Sequence, residues 1–506
     1  MATKKNPYEQ LVEISREVAT WGSISNILEW DQETYMPSGA VDFRSSQNTL
    51  VGTHAHKLKV GAKFTKLLKA LVNLETGEVL DQTLSDPQKS ALRAWRRDYL
   101  KAVKLPHSYV KSFVMTTTKA CPAWAEAKNT SNFKKFAAHL EKIVKLNQKK
   151  ADYLGYKESP YDALLDLYEP DCTSSELVPL FESLKTGLKS ILHKVTSKPP
   201  IESSFLKQDF DKTTQFEFSK TLLSAMGFTP ETSRLDISSH PFCAPIHPTD
   251  TRMTTRIHAD DIMSNIFSAL HEGGHGIYGQ NLPLDQFGTP LGEQTSLGID
   301  ESQSRFWETR IGRTRPFWHH FLPQLQAEFP QLNNVTLDQF YAAINTVAPS
   351  FIRVEADEVT YTLHVILRFE IEKMLMEGTL KVKDIPAAWN QKMQELLGIT
   401  PPNDSLGCLQ DIHWSMGSMG YFPTYALGNL YAAQFFEKFA HDNPDWESKV
   451  SHGNLTFIRD WLKTHIHQYG RQYNPQELIL KVTGKPLSEK PYLDYLNAKY
   501  QKIYHF

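Results

Sequence analysis

His271-Glu272-Gly273-Gly274-His275 is the stretch on which the reading of this chain turns. Its spacing, His-Glu-x-x-His, is that of a zinc-peptidase helix. Two histidines four residues apart lie one above the other on a helical face, so both imidazoles can grip one metal ion. Glu272 projects beside that ion, where it can take a proton from metal-bound water. The flanks decide whether the stretch is helical. Asp260 and Asp261 offer an N-cap, and Ile262, Ile266, Leu270, Gly274 and Tyr278 recur at helical spacing. The two glycines cost helix stability, about 1 kcal/mol each relative to alanine. That cost asks for space at this point, for close packing or for a ligand.

A zinc site of this kind needs a third protein ligand and a fourth position open to water. The acidic candidates downstream are Glu293, Asp300, Glu301 and Glu308, and spacing alone does not choose Glu301 over Asp300. In such a site zinc polarises the scissile carbonyl and lowers the pKa of its water toward about 7. Glu272 accepts the proton and delivers it to the leaving amine. The tetrahedral oxyanion needs a further donor. His413, Tyr421 and Tyr425 lie in a Gly-rich stretch and are suited to that task. Against this stands the plainer reading of all three as satisfied loop or core residues.

Around the metal helix the chain reads as mainly helical. Amphipathic spacing covers 8–30 and 41–58, with Pro37 breaking the pattern between them. Asp86-Pro87 opens a further helix, the aspartate as cap, which Leu105-Pro106 ends. Helices follow over 107–127, 131–153, from Ser174 or Ser175 to Lys198, and over 214–226, where Gly227 stops the last. Beyond the metal helix the same spacing predicts Glu301–Ile311, Leu337–Val347, Ala356–Met376 and Ile385–Leu397, then 427–442, 453–468, 475–484 and 489–503. Residues 201–213 and 398–426 read as loop. Ser239 to Pro245 is extended and proline-rich. Thr251 to His258 alternates and reads as a strand, one able to align a substrate backbone by edge pairing.

No repeat, low-complexity tract or linker divides the 506 residues, so a single domain over 1–506 is expected. The chain is 41% hydrophobic and 22% charged, with a formal net charge of -2. This balance gives no pull toward nucleic acid or an anionic membrane. No transmembrane stretch or secretory signal is read, and a cytoplasmic protein is expected. Cys121, Cys172, Cys243 and Cys408 form no C-x-x-C pair and read as reduced, structural thiols.

The chain resembles the carboxypeptidase Taq family of zinc-dependent carboxypeptidases, on motifs spread along most of its length. They are Trp30-Asp31-Gln32 with Met36-Pro37 and Arg44, His240-Pro241-Phe242, and Asp250-Thr251-Arg252-Met253-Thr254. The metal helix follows, then Glu301-Ser302-Gln303-Ser304, Ile352-Arg353-Val354-Glu355-Ala356-Asp357, Gly407 to Trp414, and Gly420 to Tyr425. Apart from the metal helix each is weak alone; in this order they are specific. The resemblance implies Glu301 as the third ligand beside His271 and His275. It implies a mainly α, two-lobed body around a deep groove, with a very small β-sheet near the metal site, similar to angiotensin-converting enzyme and neurolysin. One divalent metal per subunit is expected, zinc foremost, with cobalt or manganese able to substitute. The implied activity is removal of single C-terminal residues from peptides, with broad side-chain tolerance and little action beside proline, by a cytosolic homodimer.

An exopeptidase must hold a free carboxylate, which calls for a fixed cation, preferably arginine with its planar fork. The resemblance points to Arg353, with Arg252 and Arg256 as rivals on the predicted strand. Tyr425 and His240 are further candidates for substrate contact; Trp30, Asp31 and Arg44 are read as structural. Asp300 departs from the family pattern, since many members carry histidine before the third ligand. Two other functions are weighed. An oligopeptidase or dipeptidyl carboxypeptidase of similar fold is possible because the metal helix does not fix which bond is cut. A helical peptide-binding scaffold without catalysis has no need of the intact Glu272.

Overall fold

The structure, a computed structural model, describes residues 5–506. Among the described residues nine α-helices precede the metal helix: α1 (Pro7–Thr34), α2 (Val41–Lys59), α3 (Ala62–Leu71), α4 (Asp86–Lys104), α5 (His107–Asn129), α6 (Phe133–Leu154), α7 (Pro160–Leu165), α8 (Ser174–Thr196) and α9 (Lys212–Met226). Three strands follow: β1 (Ser233–Ile237), β2 (Cys243–His247) and β3 (Asp250–Thr255). The metal helix is α10 (Ile262–Asn281), and α11 (Leu297–Arg305) continues into a π-helical turn, Phe306–Ile311. The remainder is α12 (Arg315–Glu328), α13 (Leu337–Ala343), α14 (Thr360–Met376), α15 (Ile385–Leu397), α16 (Pro423–Asp442), α17 (Trp446–Ser451), α18 (Thr456–His465), α19 (Pro475–Thr483) and α20 (Lys490–Tyr504). The fold is thus mainly α with a small three-stranded sheet, as expected.

Side-chain capping explains many of the helix starts. Asn6, Ser85, Thr173, Thr336 and Asn474 each form a capping box with the third helical residue. Ser85, not Asp86, is therefore the cap of α4; Asp86 sits in the first turn, where its charge favours the helix N-terminus. Asp261 caps α10 through the Ser264 amide. The expected helix from Glu301 starts earlier, at Leu297, because Ser296 caps it. The expected helix from Ala356 starts later, at Thr360, after a short 3-10 turn at Arg353–Glu355. The loop read to 426 ends at Pro423, which opens α16. α12 lies where spacing predicted none: Pro316 occupies its first turn and Pro323 its interior, and both read as breakers.

The sheet has the order β1-β3-β2, with β1 parallel and β2 antiparallel to β3. The strand predicted over 251–258 is therefore central, and both its edges are already paired, so it cannot take a substrate by edge pairing. β2 is an outer strand and packs against α1, where the Asn26 amide reaches the Pro245 carbonyl at 3.5 Å. A large hydrophobic core runs through the helices from α5 to α20. A smaller one joins Tyr8, Leu11 and Ile14 of α1 to Phe64, Leu68, Leu92, Trp95 and the distant Leu291. All four cysteines are free.

Candidate active site

Glycine builds the metal face. A methyl group on Gly274 would fall 2.5 Å from the Gln303 carbonyl oxygen and 2.6 Å from the Ser304 Cα. Only glycine lets α10 and α11 touch backbone to backbone there. On the neighbouring face, a methyl on Gly273 would meet Met226 at 2.8 Å and Leu223 at 2.9 Å. On α16, one on Gly428 would meet Glu301 Cγ at 2.4 Å. The two glycines of the motif thus serve close packing.

That packing brings Glu301 to the histidines. Its Oε2 lies 3.6 Å from His271 Nε2 and 3.7 Å from His275 Nε2. One ligand atom from each of the three residues can be chosen so that all lie within 4.8 Å of one another. Donors at about 2.0–2.2 Å from a tetrahedral zinc stand roughly 3.3–3.6 Å apart, so two imidazoles and a carboxylate at this spacing fit the ion.

Each histidine is backed by a second carboxylate. Glu308 Oε2 is 2.9 Å from His271 Nδ1, and Asp300 Oδ1 is 3.0 Å from His275 Nδ1. These partners turn both Nε2 atoms toward Glu301. Asp300 and Glu308, candidates for the third ligand by sequence, stand behind the ligands instead. Asp300 in turn accepts from Gln294 (2.7 Å), and Glu308 from Arg305 (2.8 Å). Burial would depress both histidines, but the carboxylates outweigh it. Glu301, Glu308 and Glu272 raise His271, while Asp300, Glu272 and Glu301 raise His275 to about 10. A pocket that attracts positive charge this strongly suits a cation. Glu272 is buried on the same helix, and burial lifts its carboxyl, partly offset by His271 and His275.

Arg353 occupies a second, oppositely charged face. It is buried, and donates through Nε (3.1 Å) and Nη2 (2.9 Å) to Asp411 Oδ1. Its Nη1 donates to the Tyr361 hydroxyl at 3.0 Å, and the Gln410 side chain accepts its amide. Arg368 donates to the other oxygen of Asp411 at 2.7 Å. Two arginines against one aspartate leave an excess positive charge. His413 adds none: burial lowers it to about 3, although Asp411 pulls the other way.

Aromatic residues join the two faces. The Tyr425 hydroxyl is 3.2 Å from His413 Nε2, and the Tyr421 ring lies 5.3 Å from His413 and 5.4 Å from Tyr425. Burial and then the Glu301 and Asp300 carboxylates push the Tyr421 phenol up, so its hydroxyl keeps its proton. His240 is depressed by burial and then by Arg256, Arg353 and His271. Arg252 is not free: it pairs with Asp250 at 3.0 Å and lies over the Trp30 ring at 4.4 Å. Arg44 pairs with Asp31 and the Leu28 carbonyl, both at 2.5 Å, in keeping with a structural part.

Sequence reasoning missed Tyr361, Arg368 and Glu372. Glu372 is fully buried and accepts from Tyr161 (2.7 Å), the Trp414 indole (2.8 Å) and the Gly420 amide (2.9 Å). It fixes the loop that carries His413 and Tyr421. All three lie at helical spacing on one face of α14, but a polar stripe of that kind reads equally as a solvated face, and the partners that bury it meet it only in the folded chain.

Comparison with known proteins agrees with this geometry. The family model described as carboxypeptidase Taq (M32) metallopeptidase matches residues 10–500. The chain is 38% identical over 513 residues to thermostable carboxypeptidase 1 of Thermus thermophilus, covering 99% of this chain and 100% of that protein. It is 37% identical to carboxypeptidase 1 of Bacillus subtilis, covering 98% of each. Among solved structures, the M32 carboxypeptidase of Deinococcus radiodurans superposes with a TM-score of 0.96 at 34% identity, over 99% of this chain and 100% of that one.

Proposed function

Because the chain belongs to the carboxypeptidase Taq (M32) family of metallopeptidases, we propose that it removes single residues from peptide C-termini with broad side-chain tolerance, His271, His275 and Glu301 holding zinc and Glu272 acting as general base. The observation that carries the reading is the pairing of a cation-attracting face with an arginine face across one cluster of tyrosines. Bound to the three ligands, zinc supplies Lewis acidity toward the scissile carbonyl and lowers the pKa of water to near neutrality. Glu272, set between the ligands on α10, takes the proton of the attacking water and passes it to the leaving amine. Asp300 and Glu308 hold the imidazoles in the ligating orientation. Tyr421, Tyr425 and neutral His413 are the donors for the oxyanion. Arg353, braced by Asp411, receives the terminal carboxylate with Tyr361 alongside.

The same reading takes the chain as one domain of two lobes flanking a deep groove, similar to angiotensin-converting enzyme and neurolysin. It is read as a cytoplasmic homodimer acting on peptides, with no part for nucleic acid or membrane. Among the described residues no helix is long and apolar enough to cross a membrane. Cobalt or manganese is expected to replace zinc with activity retained. Membership of a family of peptide hydrolases removes the support for a non-catalytic scaffold. Mass spectrometry of digested peptides tests the reaction. Stepwise loss of single C-terminal residues is expected; release of dipeptides or internal fragments would favour the oligopeptidase or dipeptidyl carboxypeptidase instead.

A further inference from the structure

The histidine face and the arginine face touch one side chain in common. Glu301, Arg305 and Glu308 follow one another at spacings of four and three along α11 and its π-helical turn. One stripe of the segment therefore carries a metal ligand, an arginine and the carboxylate behind His271. Arg305 is 7% exposed. Its Nη1 donates to Glu308 Oε2 at 2.8 Å, the same oxygen that lies 2.9 Å from His271 Nδ1. Its Nε donates to Asn429 Oδ1 at 2.8 Å, and the Asn429 amide donates in turn to the Thr362 hydroxyl at 3.2 Å. The guanidinium carbon lies 4.8 Å from the centre of the Tyr361 ring, whose hydroxyl accepts from Arg353 Nη1 at 3.0 Å. Contacts thus run without a break from His271 through Glu308, Arg305 and Tyr361 to Arg353.

Each link has a physical consequence. Arg313 reaches only the other oxygen of Glu308, Oε1, at 3.5 Å. Arg305 is therefore the group that fixes the oxygen facing His271, and an acceptor so held keeps the imidazole from turning. On the far side, a guanidinium over an aromatic face is held by the negative charge of that face and by stacking. It sets the tilt of the ring whose hydroxyl meets Arg353. Balancing the charge of Glu308 would need only a cation. Meeting Glu308, Asn429 and the Tyr361 ring together needs the planar fork of arginine.

We propose that Arg305 is a positioning residue that serves both faces at once. Through Glu308 it keeps His271 in its ligating orientation, and through Tyr361 it keeps Arg353 aimed at the substrate's terminal carboxylate. The inference rests on the carboxypeptidase reading above, in which Arg305 is neither a ligand nor a substrate contact. Its loss should therefore loosen zinc and blunt recognition of a free C-terminus together.

The test follows two quantities. One is zinc affinity, measured by competition with a chelator. The other is the kcat/KM ratio, at saturating zinc, between a peptide acid and the same peptide amidated at its C-terminus. In Arg305→Met, zinc affinity is expected to fall about tenfold and the acid-to-amide ratio about fivefold. Glu308→Gln should lower the affinity and leave the ratio, and Tyr361→Phe should lower the ratio and leave the affinity. Added to either variant, Arg305→Met should deepen the loss already present by less than about twofold, because the group it acts through is gone. A general loosening of the fold would instead add its full cost in both pairs. Arg305→Lys keeps the buried charge and decides the matter if Arg305→Met does not fold. One ammonium can serve Glu308 or the ring but not both, so at least one quantity should fall by more than about twofold. The proposal is overturned if Arg305→Met moves only one quantity or neither. It is equally overturned if the losses add in full in the paired variants, or if Arg305→Lys matches the wild type in both quantities. A wild type that shortens no peptide, or treats acid and amide alike, would overturn the carboxypeptidase reading first, and this proposal with it.

Discussion

The histidine face and the arginine face lie at similar depth, yet burial has opposite consequences in the two. At the histidine face, carboxylates from Asp300, Glu272 and Glu301 overcome the cost of burying charge and lift His275 to about 10. At the arginine face, burial prevails, and His413 and His364 drop to about 3. The residue type is the same; the neighbours differ. Four acidic groups surround two histidines at one end, while two arginines share a single aspartate at the other. The pair of faces forms a directed field. One end suits a metal ion, and the other suits an anion such as a carboxylate.

The strongest way to break this arrangement is to remove the base and leave both charges standing. Glu272→Gln is expected to lower kcat by about 10³-fold or more, within the range for a lost general base. Bound zinc, measured by elemental analysis, should stay at the wild-type ratio. A variant with full activity would end the assignment of Glu272.

Arg353→Met attacks the other end. It should lower kcat/KM about 30-fold or more, because truncating a buried, hydrogen-bonded charge costs about 2–5 kcal/mol. It should also erase discrimination between a peptide acid and the same peptide amidated at its C-terminus. If the acid-to-amide ratio does not move, the carboxylate is held elsewhere.

The two faces also differ in how far the sequence announces them. His271, Glu272 and His275 are legible because one helical turn brings them together, so spacing suffices. Glu301 is not legible from spacing, since four acidic candidates follow and the choice depends on where Gly274 and Gly428 let α11 approach. The arginine face is assembled from the 3-10 turn at 353, from α14 and from the loop at 411. Helical spacing links Tyr361 and Arg368 on α14, but no local period ties them to Arg353 or Asp411, and only the resemblance singled out Arg353. The same contrast holds for the fold. Ile385–Leu397 is predicted to the residue because an amphipathic pattern and a closing Gly398 are local signals. The alternation of β3 shows a strand but not its neighbours, so its central position emerges only from the pairing with β1 and β2.

A milder change sharpens the comparison at the histidine face. Asp300→Asn keeps the shape beside His275 but removes the charge behind it. Zinc affinity, measured by competition with a chelator, is expected to fall about 10–100-fold, the usual effect of losing a carboxylate behind a ligating histidine. Activity at saturating zinc should recover most of its wild-type value. No loss of affinity would mean that the Asp300 carboxylate does no work behind His275.

The smallest effect concerns stability, and it isolates the arginine face. His364 is fully buried on α14 and lowered to about 3, first by burial and then by Arg368 and Arg353. Its pKa is lower in the folded chain than in the unfolded one, where it titrates near 6.5. Between those values the unfolded chain binds the extra proton, so stability falls as pH drops from about 6.5 toward 3, by about 1.4 kcal/mol per pH unit. His364→Met is expected to flatten that slope by about one proton in urea titrations at pH 6.5, 5.5 and 4.5. It should leave zinc content at neutral pH unchanged, because His364 sits at the arginine face. An unchanged slope would mean that His364 is solvated more than its burial indicates.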